Sequence, residues 1–127
     1  MLPITTSKAP AAIGPYSQAV RCGDFVFVSG QLPIDPETNL IASEDPAEQC
    51  RQSLRNIAAI LQEAGTGIEN VVKTTVLVTD LSRFADMNAA YAEFFQTNLP
   101  ARATYEVSAL PKGAQVEIEA IAVCTLL

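Results

Sequence analysis

The spacing of apolar residues along the chain changes several times, and each change marks an element. Ser17 to Cys22 and Phe25 to Ser29 are short strand-like runs around Gly23-Asp24, a spacing that predicts a hairpin. Gln31 to Glu44 carries Pro33, Pro36 and Asn39 and reads as a loop with room for a short strand. A helix follows. Asp45 is placed to N-cap it, Pro46 suits its first position, and Glu48 completes a capping-box pattern. Cys50, Leu54, Ile57, Leu61 and Ala64 then form a stripe at three- and four-residue spacing that ends at Gly65.

Val71 to Thr79 is rich in β-branched residues and predicts an interior strand. A second helix is predicted from about Ser82 to Gln96, with Phe84, Met87, Tyr91 and Phe94 or Phe95 as its apolar stripe. Arg102 to Ala109 and Gln115 to Leu126 read as the last two strands, flanking a turn at Leu110-Pro111-Lys112-Gly113. The order β-β-α-β-α-β-β predicts one α+β domain over residues 1–127, with a mixed sheet and two helices on one face. In the last strand Val116, Ile118, Ala120, Ala122 and Cys124 point one way, and Glu117, Glu119, Ile121 and Val123 the other. Both sets are largely apolar. The helices cover one face, and self-association is the expected cover for the second.

Composition narrows the function classes. Of 127 residues, 49% are hydrophobic and 17% charged, an apolar balance for so small a chain that agrees with a covered second face. The net charge is −6, and Arg21, Arg51, Arg55, Lys73, Arg83 and Lys112 are scattered, so the basic stripe of a nucleic-acid binder is missing from the pattern. No run reaches membrane-span length, and Met1 to Gly14 lacks a basic start and an apolar h-region, so a cytoplasmic protein is expected. Cys22, Cys50 and Cys124 are far apart without a CxxC and are expected to be reduced. The chain has no histidine and its sequence shows no metal-ligand cluster.

Chemistry is therefore sought in a few charged and polar residues. Arg102 stands in a strand-like run, where an unpaired charge is costly. It reads either as a fork for a substrate carboxylate or as half of an intersubunit ion pair with Glu117. If the last two strands pair about Lys112-Gly113, Arg102 lies opposite roughly position 122 and Glu117 opposite roughly position 107, on the order of 15 Å apart in one chain. A functional Arg102–Glu117 pair thus predicts an interfacial site. Glu117 and Glu119, neighbours on one face, read as a base for a water or as structural carboxylates. Tyr16 reads as a donor to developing charge or as an anchoring aromatic. Ser29-Gly30 reads as a place of close backbone approach or as a strand-ending turn. Asn88 reads as a site residue or as helix surface.

In combination these residues are more telling. Ala11-Ala12-Ile13-Gly14-Pro15-Tyr16-Ser17-Gln18-Ala19-Val20, Ser29-Gly30-Gln31, Val72-Lys73-Thr74-Thr75-Val76, Pro100-Ala101-Arg102 and Leu110-Pro111-Lys112-Gly113, followed by Val116-Glu117-Ile118-Glu119-Ala120, closely resemble the RidA (YjgF/L-PSP) family. The resemblance implies a chorismate-mutase-like fold and a homotrimer with inward-facing sheets and three intersubunit clefts. It also implies hydrolytic deamination of 2-imino acids or their enamine tautomers, such as 2-iminopropanoate and 2-iminobutanoate, to 2-oxo acids and ammonia. These substrates would be released by pyridoxal-phosphate dehydratases acting on serine or threonine. By the same resemblance Arg102 binds the substrate carboxylate, while Tyr16, Ser29, Gly30, Asn88 and Glu117 line the cleft. Thr104 stands where some relatives carry cysteine, a position expected to act through its backbone. An iminium carbon is already electrophilic, so no metal or organic cofactor is expected. Two other functions attach to such a chain. One is a non-enzymatic module binding small carboxylates or acting as a holdase; the other is an RNA endonuclease or translation inhibitor, which the acidic charge and missing histidine disfavour.

Overall fold

The computed structural model describes residues 1–124; the predicted end of the last strand, up to Leu126, lies outside the described residues. Strands β1 (Leu2–Ile4), β2 (Ala19–Cys22), β3 (Phe25–Gln31), β6 (Val71–Val78), β7 (Ala101–Glu106) and β8 (Val116–Val123) form one sheet in the order β1-β2-β3-β8-β6-β7. β4 (Ile34–Asp35) and β5 (Leu40–Ile41) make a separate two-stranded hairpin. Two helices, α1 (Pro46–Glu63) and α2 (Phe84–Ala92), pack against each other, and α1 lies on β8 and β3. The expected α+β architecture, two helices on one sheet face, is what the chain adopts.

The layers follow from the alternation. Val26 and Val28, Thr74, Val76 and Val78, and Val116, Ile118, Ala120 and Ala122 are buried and meet the α1 stripe of Cys50, Leu54, Ile57, Ile60 and Leu61. The opposite face, with Phe25, Phe27, Glu117, Glu119 and Ile121, is only partly covered within the chain, leaving Phe25 44% and Phe27 43% exposed.

Several elements differ from the pattern in the sequence. The last two strands do not pair with each other. β6 lies between them, parallel to β7 (Thr74↔Arg102, Leu77↔Tyr105) and antiparallel to β8 (Leu77↔Glu117, Thr74↔Ala120). The Pro111–Gly113 turn is a short 3₁₀ segment with Lys112 at φ 60°, and it carries the chain over β6 rather than closing a hairpin. β1 was not foreseen: it is three residues long, contains Pro3, and adds to the sheet only by pairing with β2. α2 ends at Ala92 rather than Gln96, because Glu93 and Phe94 donate to the carbonyls of Ala90 and Tyr91 and tighten the last turn.

The cap of α1 is half as predicted. The Asp45 carboxylate accepts from Ala47 N–H at 3.1 Å, but Glu48 does not return to the Asp45 amide. Glu48 binds Arg51 and Arg55 instead, both at 3.1 Å. Asp45→Ala should therefore destabilise the fold by about 1 kcal/mol, the usual cost of a lost N-cap. The midpoint of urea unfolding measures it.

Candidate functional site

Arg102 is exposed near the start of β7, an edge strand, yet its guanidinium is held from below. It lies 4.8 Å from the ring centre of Tyr91 and 5.3 Å from that of Phe84, both on α2. Nη1 donates to Asn88 Oδ1, one helical turn from Phe84, at 2.7 Å. The platform is itself fixed. Tyr91 is buried, and its hydroxyl shares a 2.7 Å hydrogen bond with Thr74 Oγ1, whose residue is fully buried and pairs in register with Arg102. Burial pushes the Tyr91 hydroxyl above its ordinary pKa, so it remains a proton-bearing partner for Thr74. Asn88 takes one of five guanidinium N–H donors, and a pair remains for a planar carboxylate. Beneath this platform the Cys50 thiol is pushed up to about 12 by burial and is a packing group rather than a nucleophile.

Thr104 faces the same way as Arg102, two residues on. Its Oγ1 is buried without a hydrogen-bond partner. The outer side of β7 has no neighbouring strand among the described residues.

A second group of residues gathers on β3 and β8. Glu117 packs on Gly30: a Cβ at residue 30 would stand 2.9 Å from Glu117 Oε2 and 3.0 Å from its Cδ, so glycine is what lets the carboxylate lie there. Burial, and secondarily the neighbouring Glu119, raise the Glu117 pKa above its ordinary value. Tyr16 is 54% exposed and lines, with Ile13, Gln18, Gly30, Gln31 and Lys112, a cavity of about 60 Å³. The Ser29 hydroxyl is engaged locally, donating to the Ser17 carbonyl at 2.6 Å.

The chain thus brings Arg102 together with Asn88, and Gly30 with Glu117 and Tyr16, but keeps the two groups apart. Arg102 shares a face with buried Thr74, whereas Glu117 alternates with buried Val116 and Ile118 and points to the other face. Their β6 partners, Thr74 and Leu77, are three residues apart, which with two strand spacings gives a separation of roughly 14 Å. The distance expected from a hairpin is close to this one, reached through a different register. Phe84 and Tyr91 were read as an apolar stripe and are also the seat of the arginine. An aromatic four residues before Asn88 and another three after it were the only sequence signal for that.

The geometry is that of a small α+β domain presenting an arginine platform on one face and a half-buried carboxylate on the other. The family model described as endoribonuclease L-PSP matches residues 6–124. The chain is 60% identical over 119 residues to RutC family protein y4sK of Sinorhizobium fredii, covering 94% of each. It is 53% identical to the 2-iminobutanoate/2-iminopropanoate deaminase of Rattus norvegicus, covering 94% of this chain and 88% of that protein. The crystal structure of Escherichia coli TdcF with bound serine superposes with a TM-score of 0.94 at 44% identity, over 98% of this chain and 100% of that one. The chain belongs to the YjgF/L-PSP (RidA) family.

Because burial contributes more than Glu119 to the Glu117 shift, Glu119→Gln should lower the Glu117 titration midpoint without returning it to the ordinary range. Carboxylate ¹³C chemical shifts followed against pH test this; an unmoved midpoint would show that the two carboxylates are uncoupled.

Proposed function

We propose that the protein hydrolyses 2-imino acids, or their enamine tautomers, to 2-oxo acids and ammonia, in clefts that join the Arg102 group of one copy to the Glu117 group of another. The observation that carries this reading is the Arg102 platform. A solvent-facing guanidinium seated on two rings, with one donor used by Asn88, is suited to a small planar carboxylate. The rat relative's name and the serine bound in TdcF support the same ligand class.

Within such a cleft the substrate carboxylate lies on Arg102, with Asn88 holding the guanidinium and Thr104 at its flank. The backbone at Gly30 approaches the imine closely because no side chain intervenes. Water attacks the electrophilic imine carbon, and Glu117 accepts the proton the water sheds. Its raised pKa makes it a stronger base for that proton than an ordinary glutamate, and the proton then passes to the nitrogen. Tyr16 donates a hydrogen bond to the tetrahedral intermediate as it forms. The carbon–nitrogen bond then breaks, ammonia leaves, and the 2-oxo acid remains. Ser29 contributes by holding Ser17 next to Tyr16. Fixing the reactants in place supplies much of the acceleration that so reactive a substrate needs. The substrates fit a place downstream of pyridoxal-phosphate dehydratases.

A threefold assembly also accounts for the partly bare sheet face, where Phe25 and Phe27 would otherwise stay in water. No helix among the described residues is long and apolar enough to cross a membrane.

Arg102→Ala should lower kcat/KM for 2-iminopropanoate by on the order of 10²-fold or more, about 3 kcal/mol, with unfolding midpoint and oligomer mass unchanged. Competition with semicarbazide for imine generated by an amino-acid oxidase gives the rate; wild-type-like turnover in the variant would sink the reading. The shared cleft has its own test. Arg102→Ala and Glu117→Gln chains, each inactive alone, should recover about a quarter of wild-type activity when unfolded and refolded together at equal ratio, since one cleft in four then receives both intact residues. No recovery would place both residues in one chain's site.

A further inference from the structure

Gln18 is nearly fully buried and uses its side chain entirely on one short segment. Its Oε1 accepts from Thr6 N–H at 2.7 Å, and its Nε2 reaches the carbonyls of Thr6 at 3.0 Å, Ala9 at 3.3 Å and Pro10 at 2.7 Å. A buried amide with its acceptor and donor both engaged is costly to disturb, because every partner lost leaves a polar group unsatisfied. The far end of the segment is pinned beside it: Ser29 N–H donates to the Gln18 carbonyl at 2.9 Å and Ser29 Oγ to the Ser17 carbonyl at 2.6 Å. Between these pins residues 11–16 cross the surface. Their one internal backbone bond runs from Tyr16 N–H to Gly14 O at 2.8 Å, Ile13 is 75% exposed, and Tyr16 closes the cavity over Gly30. The Tyr16 ring is 54% exposed and lies against Gly14 of the same strap, so its place is set by where the two ends of the strap are tied.

We infer that Gln18 is a positioning residue for Tyr16, acting as the staple that fixes the strap of residues 11–16 over the Gly30–Glu117 side of the cleft. The inference rests on the deaminase reading for its kinetic consequence, though not for its structural one. Removal of the staple frees the start of the strap at residues 9 and 10, while Arg102, in the other group of residues, keeps its seat. Carboxylate binding is then preserved and the later step, in which Tyr16 donates to the intermediate, is impaired. A residue that only stabilised the fold would lower the melting temperature and leave that division absent.

Gln18→Met keeps length and apolar volume but loses every side-chain hydrogen bond, while the backbone bond from Ser29 N–H remains. It should shift or broaden the Tyr16 resonance in ¹⁹F spectra of 3-fluorotyrosine-labelled protein, assigned by its absence in Tyr16→Phe, and leave those of Tyr91 and Tyr105 in place. Well below its melting temperature it should reduce kcat for 2-iminopropanoate by about ten- to a hundredfold, with KM changed by less than about threefold. Added to Tyr16→Phe it should cost less than about twofold more, because both act through one ring. If Gln18→Met does not fold, Gln18→Asn, too short to reach Pro10 and Thr6 together, takes its place with the same readings. An unmoved Tyr16 resonance, or losses that multiply in the double variant, would overturn the inference. If the wild type hydrolyses no imine, the deaminase reading falls and the Tyr16 resonance alone judges the staple.

Discussion

Strand β6 carries backbone hydrogen bonds to β8 on one side and to β7 on the other, and it must bury one of its faces under the helices. These two demands fix where every charged group of the site can go. A residue in register with Thr74 shares the covered face, so Arg102 emerges beneath α2 and reaches water because β7 is an edge strand. A residue in register with Leu77 on β8, alternating with Val116 and Ile118, is forced to the bare face, and that residue is Glu117. Moving either strand by one residue would exchange charged and apolar faces and lose the core. The separation of arginine and carboxylate is thus a by-product of the same alternation that folds the sheet.

How far this was legible in the sequence depends on the range of the signal. The α1 stripe, the β-branched run of β6 and the alternation of β8 are local periods, and each produced the element it predicted. The wrong pairing came from a local signal too. Leu110-Pro111-Lys112-Gly113 is a good turn, but a turn says only that the chain reverses, not which strand it returns to. The parallel pairing of β6 with β7 depends on α2 crossing between them, a contact between elements that no local pattern encodes. Glu48 shows the same limit on a smaller scale. Its position suits a capping box, yet Arg51 and Arg55 on the same helix offer charged partners that a backbone amide does not match.

The site was readable as residues and hidden as geometry. Arg102, Glu117 and Tyr16 stood out by type and by family resemblance. The aromatics under Arg102 did not, because a ring that fills the core and a ring that seats a cation give the same apolar period. Tyr91 does both: its ring faces the guanidinium while its hydroxyl is spent on Thr74. Ser29 was read with Gly30 for close backbone approach, and its side chain has a further, local use: the hydroxyl donates to the Ser17 carbonyl.

The two sides of the site are therefore held by different means. The arginine side is built on the buried Tyr91 ring, the half-buried Phe84 ring and a buried hydroxyl pair, tied to the helix core, so its geometry is held by the core itself. The carboxylate side rests on a glycine that makes room and on a surface strap tied at its ends, so its geometry depends on a few hydrogen bonds. In the proposed cleft this division has a chemical logic. The carboxylate of the substrate does not change during hydrolysis and gains from a rigid seat, whereas charge and shape change at the imine carbon, where groups must follow the reaction from planar to tetrahedral. A rigid arginine opposite an adaptable tyrosine and glutamate separates recognition from chemistry. An assembly that takes one side from each of two copies makes that separation complete, because no single chain then supplies both sides of one cleft.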